Sequence, residues 1–300
     1  MFLSSGRDGK LQVWDSDRGI VVEEFSVGEP INKHCIGEPE VGALVAVAAR
    51  TNHLQLVDLR TGSTCHTLGS RTLGGHALQG HSGEVNCCAW SRADPWVLAS
   101  GSADKKIMLW DVRQSRSYLT YLDYNNVRYK KKKDIKLANM SHQSGVHGLV
   151  YSSCGRFLYS LGNDKRIRKW DTVTSKNLKT KFPEVETKCR GSIDLVSVED
   201  GVKDLLFVPE NSKIAVFDAG SGCKLSSLDG HLYNVNCLDL GRAKVQLYSG
   251  GRDRFILQWD TPLQIAAARA SKEEHREERK DINPYTVDTW TSDEDEDEDG

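Results

Sequence analysis

Ser100, His81 and Asp104 are the three side chains of a hydrolytic triad: a hydroxyl nucleophile, an imidazole base and a carboxylate to orient it. The same set returns as Ser160, His142 and Asp164, and again as Ser249, His231 and Asp253. A tryptophan stands ten residues after each serine, at Trp110, Trp170 and Trp259. Three copies argue against catalysis, because a nucleophile is needed once and needs no indole beside it. No G-x-S-x-G elbow is present either. The alternative is structural. The aspartate accepts from the histidine, the histidine bonds the serine hydroxyl, and the hydroxyl accepts from the indole N–H, so four buried polar groups satisfy one another.

These residues must be positioned by a repeating element. Ser, four residues to Asp, six to Trp, then Asp occurs at Ser4-Asp8-Trp14-Asp15, Ser100-Asp104-Trp110-Asp111, Ser160-Asp164-Trp170-Asp171 and Ser249-Asp253-Trp259-Asp260. Two degenerate copies, 54–58 and 214–218, keep the alternation and the final Asp, with Val57 and Phe217 for Trp. The terminal aspartates 15, 58, 111, 171, 218 and 260 are 43, 53, 60, 47 and 42 residues apart. The shorter gaps match one four-stranded propeller blade. Val85–Trp90, Trp96–Gly101, Ile107–Asp111 and Tyr118–Asp123 read as innermost, second, third and outer strands. The expected fold is an all-β propeller over residues 1–261. Residues 262–300 are expected to form a short charged helical segment and a disordered acidic tail.

Gly80-His81 and Gly230-His231 precede, and Trp-Asp closes, the strong copies. In this repeated form the chain resembles the WD-repeat family over residues 1–260. The resemblance implies a seven-bladed ring, of which about five and a half blades are present. It also implies a non-catalytic interaction scaffold without cofactor. The first copy begins at Phe2-Leu3-Ser4-Ser5, already a second strand, and no outer strand follows Asp260. The expectation is therefore an N-terminally truncated chain.

The composition is that of a soluble globular protein, with 38% hydrophobic and 27% charged residues. The formal charge of −2 hides seven consecutive acidic residues, Asp293 to Asp299; the rest is mildly basic. That is too little for a nucleic-acid protein defined by a dense basic patch. The longest apolar run, Val41–Ala49, is too short to span a bilayer. Eight scattered cysteines without a CxxC pair point to reduced, buried thiols in a cytosolic or nuclear protein.

Arg113 follows Trp110-Asp111-Val112. This W-D-x-R resembles the motif of WD-repeat proteins that dock onto the damaged-DNA-binding adaptor of cullin-4 ubiquitin ligases. Trp110, Asp111 and Arg113 are the adaptor-binding candidates that the resemblance implies. A bland surface arginine is the competing reading. Val57-Asp58-Leu59-Arg60 is a degenerate second copy.

The tail (Ile282-Asn283-Pro284-Tyr285, then Asp288-Thr289-Trp290-Thr291-Ser292-Asp293-Glu294) is not generic to such repeats. With Phe207-Val208-Pro209 and Leu247-Tyr248-Ser249-Gly250 it resembles the receptors of transcription-coupled nucleotide excision repair. The resemblance implies a nuclear substrate receptor whose partners are the cullin-4 adaptor and stalled transcription and repair proteins. It also implies that Met1 falls inside the family's chain, after the segment that helps dock the adaptor. Alternatives are a scaffold of another nuclear complex, in RNA processing or chromatin reading, with Trp90 and Trp96 available for a cage. DNA contact through Lys130–Lys133 is a third reading; a solvated loop is its bland counterpart. Thr291 and Ser292 before the acidic run suit an acidophilic kinase.

Overall fold

The computed structural model describes residues 2–15, 17–37, 42–69, 80–113, 118–124, 140–187, 196–199, 204–241 and 246–259. The Lys130–Lys133 loop, the 262–300 segment with its acidic run, Thr291 and Ser292 lie outside these residues. Two units are distinguished, Met1–Gln258 and Trp259–Gly300. Of the second, only Trp259 is described.

Every regular element among the described residues is a strand, and each sheet is an antiparallel meander in chain order. The first sheet holds β1 (Phe2–Ser5), β2 (Lys10–Asp15) and β3 (Ile20–Ser26). The second holds β4 (Ile31–Ile36), β5 (Leu44–Ala49), β6 (Leu54–Asp58) and β7 (Ser63–Leu68). The third holds β8 (Val85–Trp90), β9 (Val97–Ser102), β10 (Ile107–Asp111) and β11 (Tyr118–Tyr121). The fourth holds β12 (Val146–Tyr151), β13 (Phe157–Gly162), β14 (Ile167–Asp171) and the two-residue β15 (Lys176–Asn177). The fifth holds β16 (Val196–Glu199), β17 (Asp204–Glu210), β18 (Lys213–Asp218) and β19 (Lys224–Asp229). The sixth holds β20 (Val235–Gly241), β21 (Gln246–Gly251) and β22 (Ile256–Trp259). The strands expected from the repeat in the third sheet agree with these bounds to within a residue or two.

The core lies between consecutive sheets. Leu11 of the first packs with Val45 and Val57 of the second. Ala46 and Leu56 pack with Val85 and Trp110 of the third. Cys87 and Leu109 pack with Val146 and Trp170 of the fourth. Tyr159 and Ile167 pack with Leu206 and Phe217 of the fifth. Both faces of an inner sheet are therefore covered, which is why β10 reads Ile-Met-Leu-Trp-Asp and all five residues are buried. A period-2 pattern with one polar face holds only where one side is solvated. Each fully buried Leu or Trp contributes about 1.5–3 kcal/mol, or more, through lost apolar exposure.

The innermost strands carry a repeated irregularity. The register slips between Ile31 and Lys33, Val85 and Cys87, Val146 and Gly148, and Val235 and Cys237. Such a bulge re-aims the extra side chain. Asn32 uses it to donate to the Val85 carbonyl at 3.0 Å, and Asn86 to the Val146 carbonyl at 2.9 Å. One side chain thus ties each of these inner strands to the next sheet.

The buried His-Ser-Asp-Trp sets and the exposed Arg113

In the third sheet Asp104 sits in the β9–β10 turn and His81 lies just before β8. His81 Nδ1 is 3.1 and 3.0 Å from the two Asp104 carboxylate oxygens, and its Nε2 is 2.7 Å from Ser100 Oγ. Trp110 Nε1 donates to the same Oγ at 2.7 Å. One proton assignment satisfies all of them. Nδ1–H donates to the carboxylate, the serine hydroxyl donates to Nε2, and the indole donates to the hydroxyl oxygen. Asp104 also accepts from the backbone N–H of Ser82 and of Lys106, both at 3.0 Å. Burial alone would raise its carboxyl pKa. The His81 hydrogen bond, with those two amides, outweighs burial and holds it below the ordinary value.

The fourth sheet repeats the geometry. His142 Nδ1 is 2.9 Å from Asp164, Nε2 is 2.7 Å from Ser160 Oγ, and Trp170 Nε1 donates to Ser160 at 2.8 Å. A guanidinium is added: Arg168 Nη1 donates to Asp164 Oδ2 at 2.8 Å and also meets His142 Nδ1. Its plane lies over the Tyr124 ring at 4.6 Å. Burial lowers the His142 pKa, and the positive charge of Arg168 adds to that against the pull of Asp164.

In the sixth sheet His231 Nδ1 is 2.7 Å from Asp253 and its Nε2 is 2.7 Å from Ser249 Oγ. Trp259 ends β22, half-buried. The first sheet keeps only the tryptophan half: Trp14 Nε1 donates to Ser4 Oγ at 2.7 Å.

These sets are not built to attack a substrate. Ser100, Ser160 and Ser249 are at most 1% exposed. In the third and fourth sheets the hydroxyl proton is committed to the histidine and an oxygen lone pair to the indole. What the arrangement does is fasten the loop before each inner strand to the turn between the next two.

The three adaptor-binding candidates separate. Trp110 is 1% exposed and Asp111 is 5% exposed, so neither presents a surface to a partner. Only Arg113 reaches solvent, with 56% of its side chain exposed. Its Nε donates to Asp111 Oδ1 at 2.9 Å and its Nη2 to Oδ2 at 2.7 Å, a two-pronged pair. The guanidinium also lies 5.6 Å from the Trp96 ring centre. Asp111 and Trp96 thus fix the exposed guanidinium in one orientation. Arg60 in the second sheet has the same pairing with Asp58, but looser, at 3.3 and 3.4 Å. Trp90 is buried and donates to the Cys35 carbonyl at 3.1 Å, so it forms no cage.

Sequence reasoning gave the closing aspartates no structural role, and the structure does. Asp15, Asp58, Asp111, Asp171 and Asp218 each accept the backbone N–H two residues on, at 2.8–3.1 Å. This is an Asx turn that starts the return into the outer strand. The signal was the aspartate's survival in copies that had lost their tryptophan.

The family model described as WD domain, G-beta repeat matches residues 72–111, 136–171 and 222–260. The chain is 23% identical to WD repeat-containing protein ATCSA-1 of Arabidopsis thaliana, over 86% of this chain and 69% of that protein. It is 26% identical to Radiation-sensitive protein 28 of Saccharomyces cerevisiae, over 58% of this chain and 36% of the relative. It is 21% identical to DDB1- and CUL4-associated factor 13 of Xenopus laevis, over 62% and 39%. The aligned part is thus little more than a third of the last two relatives. Three segments of the chain match WD40 repeats, and its antiparallel sheets are those of a β-propeller.

Proposed function

We propose that this chain is a non-catalytic substrate receptor of a cullin-4 ubiquitin ligase, docking through Arg113 and acting in transcription-coupled nucleotide excision repair in the nucleus. The observation that carries the docking step is the Arg113 guanidinium, exposed yet fixed by Asp111 and Trp96. A pre-aimed fork loses less entropy on binding a carbonyl or carboxylate than a free arginine does. The relatives support the ligase: one is named as a DDB1- and CUL4-associated factor. The repair assignment rests on likeness to ATCSA-1 and on the tail around Trp290, which resembles that of the Cockayne syndrome group A protein. On this reading the receptor does no chemistry. It holds a substrate near the ligase's charged enzyme and raises the effective concentration of its lysines.

The test is co-purification of the cullin-4 adaptor with the chain and with Arg113→Ala. Capture that weakens about tenfold or more in the variant, with the thermal melt unchanged, supports the proposal. Capture that ignores the substitution removes Arg113 from docking. No capture by a folded chain overturns the reading and favours a scaffold of another nuclear complex.

A further inference from the structure

The loops that the His-Asp pairs fasten have corresponding positions in three sheets, and one sheet fills them differently. After His81 come Ser82 and Gly83; after His142 come Gln143 and Ser144; after His231 come Leu232 and Tyr233. In the turn, Lys106 and Arg166 stand two residues after their aspartates, and Phe255 takes that place after Asp253. Leu232 is 76% exposed, Tyr233 65% and Phe255 58%. Solvated loop positions are here given to large apolar side chains. Ile256 is also exposed, but it occupies the place of the buried Ile107 and Ile167 on the flat of the sheet and is not counted with them.

The three are held, not merely exposed. Asp253 Oδ2 accepts from His231 Nδ1 at 2.7 Å and from the Leu232 N–H at 3.1 Å, while Oδ1 accepts from the Phe255 N–H at 3.1 Å. One buried carboxylate therefore sets the backbone under both Leu232 and Phe255. Arg252 and Arg254 in the same turn are exposed, and Asp229 before His231 is paired with Lys213; the aspartate between the two arginines has its side chain 2% exposed and bonded to His231. Two loops joined at Asp253 thus carry three exposed apolar side chains, with two exposed arginines in the same turn.

We propose that Leu232, Tyr233 and Phe255 form a docking surface for a partner's acidic peptide segment carrying an aliphatic or aromatic anchor, with Arg252 and Arg254 pairing its carboxylates. A small apolar centre with charge at the rim is how a few residues hold most of a peptide's binding energy. Two arginines around three apolar side chains are too sparse for a phosphate backbone, which calls for a dense basic face. The site does not rest on the ligase reading. In the repeat this turn lies at the opposite end of the third strand from the Arg113 position, so the two sites fail independently.

The probe is a fluorescein-labelled peptide, Glu-Asp-Phe-Glu-Leu-Asp-Glu, titrated into the full chain by fluorescence anisotropy. The variants Leu232→Ser and Phe255→Lys carry the residue types that the third sheet uses at these positions, so they retain the fold. Each is expected to weaken binding by about tenfold. Arg252→Glu with Arg254→Glu is expected to abolish it, and added salt to weaken it in the parent chain. Arg113→Ala leaves it unchanged. Absence of binding, or binding indifferent to Leu232→Ser and Phe255→Lys, overturns the proposal. Preference for a labelled thymidine 20-mer over the peptide overturns it in favour of nucleic acid.

Discussion

Arg168 and His142 share one carboxylate: both reach Asp164, and the guanidinium meets the Nδ1 edge of the imidazole. Nothing equivalent exists in the third sheet, where Met108 holds the place of Arg168. The fourth sheet therefore contains a fixed positive charge against a histidine that must stay neutral to accept from Ser160.

This gives the fold an acid-sensitive point. His142 is held below its ordinary value of 6.5 by burial first and by Arg168 second. Above pH 6.5 it is neutral in the folded and unfolded chain alike and its contribution is fully present. As pH falls through and below 6.5, the unfolded chain takes up the proton first and stability is lost. Asp164 and Asp104 are depressed, so their contributions go at lower pH, below the ordinary carboxylate value of 3.8. In Arg168→Met the His142 Cε1–H resonance should titrate at higher pH than in the parent, followed by proton NMR. An unmoved midpoint would leave burial and the neighbouring His147 as the causes of the depression.

The serine hydroxyl is the hub of each complete set, and its removal should cost more there than in the first sheet. Ser100→Ala strands both the Trp110 N–H and the His81 Nε2 in a dry interior. The expected loss is about 2 kcal/mol, within the range for an unsatisfied buried partner. Ser4→Ala strands only the Trp14 indole in a partly buried site, and about 1 kcal/mol is expected. Urea unfolding of the two variants checks the order; equal losses would mean that the histidine link is energetically idle.

The sets could be read from spacing because each couples residues at nearly constant offsets within one sheet: His81 to Ser100 to Trp110, then again from His142 with one residue fewer before the serine. The strand bounds followed for the same reason. Features that join one sheet to another left no such trace. Asn86 reaches the Val146 carbonyl across 60 residues of chain. The Trp96 ring 5.6 Å from the Arg113 guanidinium comes from the turn just before β9, with no fixed offset to announce it. Spacing also marked Trp110 and Asp111 beside Arg113 without showing that the first two face inward. Burial depends on the neighbouring sheet, which a local motif does not encode.

Among the described residues, the turns after the closing aspartates hold one strained residue. Gly19, Gly62 and Gly222 stand four after Asp15, Asp58 and Asp218, with φ of 67°, 67° and 81°. Ser175 stands four after Asp171 with φ of 55°. A side chain in that region costs about 1–2 kcal/mol, and a glycine returns about 0.5–1 kcal/mol of this as lost unfolded-state restriction. Ser175→Gly should therefore stabilise the chain by about 0.5–1 kcal/mol. A rise in the thermal midpoint is the readout, and a fall would show that Ser175 makes a compensating contact.

Gly162 shows the opposite constraint: its backbone is unremarkable, and space is what excludes a side chain. A Cβ there would be in contact with His142 Nδ1 and 2.6 Å from Asp164 Oδ1. Neither neighbour is the loose end of a flexible chain, since each is fixed by the other, by Ser160 and by Arg168. The alanine can enter only by parting His142 from Asp164. Gly162→Ala should cost about 2–3 kcal/mol, in the range for leaving a hydrogen bond to a buried charged group unmade. Gly251→Ala, whose Cβ would lie 2.7 Å from both Asp253 Oδ1 and His231 Nδ1, should act the same way in the sixth sheet. Denaturant midpoints compare the two; if Gly162→Ala is tolerated while Ser160→Ala is not, the His-Asp contact carries little of the network's strength and the Ser-Trp contact carries most.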